Sequence, residues 1–386
     1  MVSLLLAIIY MAFISLGLPD GLLGAAWPVA RGDFGVPASY MGIVSMIIAA
    51  CSILSSLLSD KVTRRMGAGP VTAVSVLLTA AALLGFSLSR SFWILCVMAV
   101  PYGLGAGAVD AALNNYVALH YSSRHMSWLH AFWGVGAAIG PYVMSVAIGS
   151  RHGWPMGYGT IAAVQVALTV VLFASLPLWK KRDSATTPDE DGYEAPLSLR
   201  QAVGIRGVKT MLLTFFGYCA LEATAGLWAA SYLVDQRGVD TQSAAAFAML
   251  FYLGITAGRF LNGFAADRFG DRAMVRVGLT VQAAGLVLIL LPTVLTALIG
   301  LVALGLGCAP IYPCCNHATP TLFGRENSHA IVGIQVAAAY CGITFIPPVF
   351  GLVAQHLHIG LFPLFLVVFW VTMVLTTERV NRMGEA

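Results

Sequence analysis

The chain has 386 residues, of which 59% are hydrophobic and only 10% are charged, and its mean hydropathy is +0.83. Soluble domains carry about 25% charged residues, so this composition excludes an ordinary soluble protein and indicates a polytopic protein of the lipid bilayer. The net charge of +4 would suggest nucleic acid only if basic residues clustered on a soluble face. They lie in short loops instead, so we expect no nucleic-acid partner.

Twelve apolar segments are each long enough to cross a bilayer, which takes about 20 residues. The first segment lacks the basic N-terminal region of a signal peptide and is too long for a cleaved one, so we expect it to be retained as a transmembrane helix. The sequence therefore predicts an all-α membrane protein with twelve transmembrane helices. The predicted spans are 3–30, 38–59, 69–89, 92–118, 126–149, 155–178, 209–234, 243–266, 273–292, 294–321, 329–355 and 359–377.

Basic residues are distributed unevenly between the loops. Sixteen of the 21 Lys and Arg residues lie at the termini or after even-numbered spans, four follow odd-numbered spans, and Arg259 lies within span eight. The positive-inside rule then places both termini in the cytoplasm. The polar segment 179–208 is acidic in its middle and contains two prolines, so we expect a cytoplasmic linker with a short amphipathic helix near Leu197 to Val203. It would join an N-terminal bundle, 1–178, to a C-terminal bundle, 209–386.

The two predicted bundles repeat each other weakly. A shift of 202 residues places Asp20 on Glu222 and Gly103-Leu104-Gly105 on Gly305-Leu306-Gly307. Further matches follow in the same order in both halves. Parallel six-span repeats are typical of transporters with two pseudo-symmetric six-helix bundles and a substrate site between them near the bilayer midplane.

Three acids lie inside predicted spans: Asp20 in span one, Asp110 in span four and Glu222 in span seven. A carboxylate in hydrocarbon is costly unless it faces protein or water or is protonated. A structural role is open for each, because Pro19-Asp20-Gly21 also fits a helix break and Asp110 could have a buried partner. Desolvation favours the neutral form of an acid, so an acid in a low-dielectric cavity can carry a proton. We predict that Asp20 and Asp110 couple transport to protons, with His130 as the third titratable group of that half.

Amide and aromatic side chains in the spans around the expected cavity fit a neutral polyhydroxylated solute. Amides offer paired donors and acceptors, and aromatic faces stack on sugar rings, although each residue alone also fits simple packing. The predicted substrate-binding residues are Asp20, Trp27, Asp110, Asn114, Asn115, His130, Trp133, Glu222, Trp228, Tyr312, Asn316, His317, Gln335 and Tyr340.

Acid and arginine residues recur at the cytoplasmic ends of spans two and eight. Such groups make charge-assisted contacts with helix ends or with each other, and breaking these contacts would gate the cytoplasmic side. The positive-inside rule alone would account for the arginines in these loops, but not for the aspartate that recurs in both of them. The predicted gate residues are Asp60, Arg64, Arg65, Arg259, Asp267, Arg268 and Arg272.

Motifs for other chemistries are missing from the sequence. The seven cysteines lie in apolar segments without CxxC spacing, so we expect no metal site and no disulfide framework. There is no Walker motif, nucleophile elbow or HExxH sequence, so we expect neither an enzyme nor a cofactor.

Several motifs carry a resemblance to a known family along the whole chain. They are Gly263 to Arg272 with a weaker copy around Asp60, Gly17 to Gly21, Gly105 to Asn114, Leu129 to Gly136, and Ile311 to Pro313. The chain resembles the major facilitator superfamily and, within it, the fucose–galactose–gluconate:proton symporter-like group. This resemblance implies a cytoplasmic-membrane symporter with alternating access, in which the acids of spans one and four, here Asp20 and Asp110, serve proton coupling and sugar recognition. Asp110 replaces the Glu of the fucose symporter, so the sugar is not implied.

The sequence thus predicts a monomeric inner-membrane transporter that imports a small polar solute, most simply a monosaccharide, with protons. Sodium is an alternative coupling ion. A proton antiporter that exports drugs or metabolites would use the same acids in the opposite sense. A receptor that binds a solute without moving it is the alternative from another class, although no signalling domain supports it.

Overall fold

The computed structural model describes residues 4–121, 123–183 and 199–383, in which helices are joined by short turns and loops and no strand occurs. A π-helical turn (Ala354–His358) and a 3-10 turn (Ile359–Leu361) precede the last helix. The helices are α1 (Leu4–Gly17), α2 (Leu22–Phe34), α3 (Tyr40–Met66), α4 (Ala68–Ser87), α5 (Phe92–His120), α6 (Ser123–Ile148), α7 (Gly153–Asp183), α8 (Leu199–Gly204), α9 (Val208–Arg237), α10 (Thr241–Phe269), α11 (Asp271–Leu290), α12 (Val294–Cys308), α13 (Ile311–Phe323), α14 (Arg325–Val353) and α15 (Phe362–Met383).

The membrane-spanning segments agree with the predicted number. Ten segments of the described residues are long and apolar enough to cross a membrane, and Tyr40–Ser56 of α3 is a shorter apolar one. One of the ten, Ile331–Met383, covers both α14 and α15. Each of the twelve predicted spans therefore corresponds to one helix or one broken helix, and the predicted fold class is confirmed.

Two spans predicted as continuous are interrupted. The first breaks between α1 and α2, where Leu18 to Gly21 form turns, and the tenth breaks at Ala309 and Pro310 between α12 and α13. Proline lacks the amide hydrogen that a helix needs and its ring clashes with the preceding turn, which explains why both interruptions contain one.

The boundaries around the expected linker also differ. Helix α7 continues to Asp183 rather than ending at 178, and α8 (Leu199–Gly204) lies where a short amphipathic helix was predicted. Residues 184–198 lie outside the described part of the chain. The division at 179–208 stays a prediction.

The described helices form two compact units. The first contains α1 to α7 together with residues 238–249, and the second contains α8, α9 and the chain from Leu250 onward. Within the first unit, the backbone at Gly103 of α5 lies directly against the Ile48 carbonyl of α3. Within the second, Gly305 of α12 lies in the same way against the Phe251 carbonyl of α10. The matched contact is the structural counterpart of the predicted repeat.

Candidate functional site

Asp110 lies within α5, in the apolar span Phe92–Asn114, and is half-buried. Asn114, one turn later, donates from Nδ2 to the carboxylate Oδ1 at 2.9 Å and to the Asp110 carbonyl at 3.0 Å. The carboxylate forms no ion pair with any side chain that the structure describes. A neutral amide therefore orients Asp110, and its charge is not cancelled by a described cation.

Asp20 lies in the break between α1 and α2, and its side chain is exposed. The indole Nε1 of Trp133 in α6 donates to Asp20 Oδ2 at 2.7 Å. Gly17, just before the break, allows α1 to lie directly against the backbone of Trp133. A Cβ added at Gly17 would overlap the Trp133 carbonyl. The break suggested by Pro19-Asp20-Gly21 is therefore present, and it brings Asp20 to a residue that was predicted to bind substrate.

His130 lies on the same helix as Trp133, one turn earlier, and is exposed. Its ring meets the edge of Phe13 of α1, with centroids 5.9 Å apart. The first unit thus places Asp20, Trp133 and His130 along the α1–α6 contact.

Three predicted substrate-binding residues are buried and occupied by protein partners. Trp27 donates to the Ala38 carbonyl at 2.9 Å, and Trp228 donates to the Pro347 carbonyl at 2.9 Å. Gln335 is 0% exposed and exchanges hydrogen bonds with Thr319 at 3.0 and 3.3 Å. Trp228 and Gln335 thereby connect two helices, and Trp27 connects α2 to the loop that follows it. Contact of these three side chains with a solute stays a prediction that would require them to move.

The second unit pairs two residues for which different roles were predicted. Arg259 Nη2 of α10 lies 3.8 Å from Glu222 Oε1 of α9, and both side chains are largely buried. Arg259 was predicted to belong to the cytoplasmic gate, but the structure places it beside a predicted binding residue.

Tyr218 was missed by the sequence analysis. It precedes Glu222 by one turn on α9, and its ring lies 5.9 Å from that of Tyr312 on α13. Asn316, one turn after Tyr312, has a buried side-chain oxygen without a hydrogen-bond partner among the described residues. The i, i+4 spacing of Tyr218 and Glu222 was a usable signal, but a tyrosine in an apolar span is not distinctive.

The remaining predicted residues lie elsewhere on the described helices. His317 has an exposed side chain, and its Nδ1 lies 2.7 Å from Oδ2 of Asp271. Asp271 is the first residue of α11. Tyr340 is half-buried in α14, Arg65 and Arg268 are exposed, and Arg272 is half-buried. The side chains of Asp60, Arg64, Asn115 and Asp267 lie outside what the structure describes, so their predicted roles stay predictions.

Twelve membrane segments in two repeated halves, with ionisable side chains inside the spans, define a multi-pass membrane transporter rather than an enzyme. The chain belongs to the Major Facilitator Superfamily, whose description matches residues 9–255 and 210–378. The predicted superfamily is thereby confirmed, and the narrower symporter group stays a prediction.

Relatives and solved structures cover most of the chain. An uncharacterized transporter, y4wD, of Sinorhizobium fredii is 24% identical over 87% of this chain and 88% of its own length. A crystal structure of the nucleoside transporter NupG superposes with a TM-score of 0.73 at 13% identity, covering 99% of this chain and 100% of the other. The similarity to NupG is a similarity of fold alone.

Other relatives have names that state a solute. The hexuronate transporter of Bacillus subtilis is 22% identical over 63% of this chain and 60% of its own length. The glucose/mannose transporter GlcP of the same organism is 25% identical over 51% of this chain and 49% of its own length. These names describe those proteins and differ from each other.

Proposed function

We propose that this transporter imports a small polar solute of monosaccharide size together with protons, by alternating access, in the cytoplasmic membrane with both termini in the cytoplasm. Asp110 is the main coupling carboxylate and Asp20 the second, and no cofactor takes part. The proposal rests on the Asp110 carboxylate, which lies inside a membrane span. The Asn114 amide orients this carboxylate, and no described cation neutralises it.

The physical argument concerns how Asp110 is neutralised. A carboxylate inside a membrane protein is stabilised by a cation, by water or by a proton. Where no cation pairs with it, proton binding changes its net charge and so changes the free energy of each conformation by a different amount. A proton gradient can then drive solute movement, provided that the solute also binds the two conformations differently.

The size and polarity of the solute are inferred from the neighbouring groups. Trp133 and His130 supply aromatic rings, and Asp20 and Asn114 supply hydrogen-bonding groups in the first unit. Relatives named for hexuronate and for glucose and mannose support a monosaccharide-like solute.

The proposal is tested with the purified full chain in proteoliposomes. Labelled glucose, galactose, fucose and glucuronate are supplied outside, with the interior more alkaline than the exterior. We expect accumulation of at least one solute that a protonophore abolishes. Asp110→Asn should lose at least 90% of gradient-driven accumulation and keep solute exchange, because its side chain cannot bind and release a proton.

Asp240→Asn is the control, since Asp240 is an exposed acid outside the spans. A hydrogen bond from the Ser243 backbone holds the pKa of Asp240 below its usual value, so this acid stays charged and should not carry protons. Full accumulation by Asp110→Asn would refute the coupling role. Uptake only into acidic vesicles would indicate an exporter, a response to sodium alone would indicate a different ion, and binding without accumulation would indicate a receptor.

A further inference from the structure

A pair of opposite charges lies inside the spans of the second unit. Arg259 Nη2 is 3.8 Å from Glu222 Oε1, and the two side chains are 16% and 17% exposed. Ionisable groups inside a span are costly, and they usually mark the path of a substrate or ion. A distance of 3.8 Å is longer than a hydrogen bond, so this contact is looser than the short paired bonds that a guanidinium makes with a well-fitted carboxylate.

Tyr218 provides a second, independent observation beside this pair. It lies one turn before Glu222 and interacts electrostatically with Arg259. Its side chain is only 2% exposed, so its hydroxyl is shielded from solvent beside the Arg259 guanidinium. Nearly all buried polar atoms in proteins form hydrogen bonds, so a buried hydroxyl needs such partners. A hydroxyl in this position is able to bond an oxygen atom of a ligand held by Arg259.

Tyr312 of α13 extends this group with an aromatic surface. Its ring lies 5.9 Å from Tyr218 and 5.2 Å from Phe215. Aromatic rings pack well against the apolar face of a sugar ring. The group therefore combines a permanent cation, a hydroxyl and aromatic rings, which is the complement of a small hydroxylated acid.

We propose that the Arg259 guanidinium binds the carboxylate of a sugar acid. Before this solute binds, the Glu222 carboxylate pairs with Arg259, and the solute carboxylate then takes the place of Glu222. The inference rests on the proposed function and narrows its solute to an anion. Arginine stays charged at any physiological pH, and its planar donors match a carboxylate. Glu222 would act as an internal competitor, because removing it without a replacement would leave a buried guanidinium without its counter-charge.

The test compares D-glucuronate with D-glucose, which differ only in having a carboxylate or a hydroxymethyl group at one carbon. Binding to the purified full chain is measured by calorimetry. We expect the unmodified protein to bind glucuronate at least tenfold more tightly than glucose. Arg259→Gln should bind both sugars about equally, and Arg259→Lys should retain part of the preference. Glu222→Gln should bind glucuronate several-fold more tightly, since the competitor is removed.

Arg276→Gln is the matched control, because it also removes an arginine paired with a glutamate, at 2.7 Å from Glu378, but on the exposed surface. It should keep the preference for glucuronate. If Arg259→Gln does not fold, the effects of Arg259→Lys and Glu222→Gln still decide the question.

Equal affinity of the unmodified protein for both sugars, no binding of glucuronate, or a preference that survives Arg259→Gln would overturn the inference. Proton-driven uptake of a neutral hexose that does not depend on Arg259 would overturn it while leaving the proposed function intact. Conversely, glucuronate binding through Arg259 without proton-driven accumulation would contradict the proposed function alone.

Discussion

The hydrogen bond from Trp133 to Asp20 joins two side chains that are 113 positions apart in the chain. It orients one oxygen of an exposed carboxylate at a helix break. Hydrogen bonds to charged groups are worth about 1.5–3 kcal/mol, and exposure places this one near the lower end of that range. Since 1.4 kcal/mol corresponds to a factor of about ten in an equilibrium constant, losing this bond should be measurable in transport.

Trp133→Phe keeps the aromatic ring and removes the donor. We expect the initial rate of uptake to fall about tenfold per mole of folded protein, because the Asp20 carboxylate is no longer held in one orientation. Trp93→Phe is the control, as Trp93 is 67% exposed on α5. Equal rates for the two variants would show that this hydrogen bond does not contribute to transport.

Helices α1 and α6 illustrate how close packing sets the position of the site. Gly136 of α6 lies against Ile14 of α1, and an added Cβ would overlap the Ile14 carbonyl oxygen. Small residues allow helix backbones to approach closely in a membrane, where packing drives association. This close approach positions the break at Asp20 against Trp133.

Gly136→Ala should destabilise the protein by about 1–3 kcal/mol, because the two helix backbones must move apart. Gly333→Ala in α14 is the control, since nothing lies within 4 Å of its added Cβ. There the higher helix propensity of alanine should leave stability unchanged or slightly raised. Thermal unfolding in detergent compares the two, and a Gly136→Ala protein as stable as the control would contradict the packing argument.

At the scale of the whole molecule, the two halves use equivalent contacts. Gly105 of α5 lies against the Ser75 carbonyl of α4, and Gly307 of α12 lies against the Gly278 carbonyl of α11. These contacts occur in separate units, in corresponding helices. They explain why the faint glycine matches in the sequence marked a true structural repeat.

The distribution of Lys and Arg predicts the orientation of the whole protein in the membrane. A fluorescent protein fused after the last residue should fluoresce, and alkaline phosphatase fused there should be inactive. Alkaline phosphatase inserted in the turn at 149–152, between α6 and α7, should be active. Active phosphatase at the C-terminus would reverse the proposed topology.

The number and type of the spans were predictable from sequence, because the hydrophobic length of a segment is a local property. The candidate acids Asp20, Asp110 and Glu222 were recognisable because a charge inside an apolar segment stands out. The superfamily was recognisable from short motifs such as Gly263 to Arg272, which are also local in the chain.

Only the tertiary structure decided which of these side chains meet. Hydropathy does not reveal that Trp133 reaches Asp20, that Gln335 is fully buried against Thr319, or that Arg259 faces Glu222. Each of these contacts depends on how closely and at what rotation two helices pack. That geometry is set by small residues and helix breaks acting between distant parts of the chain.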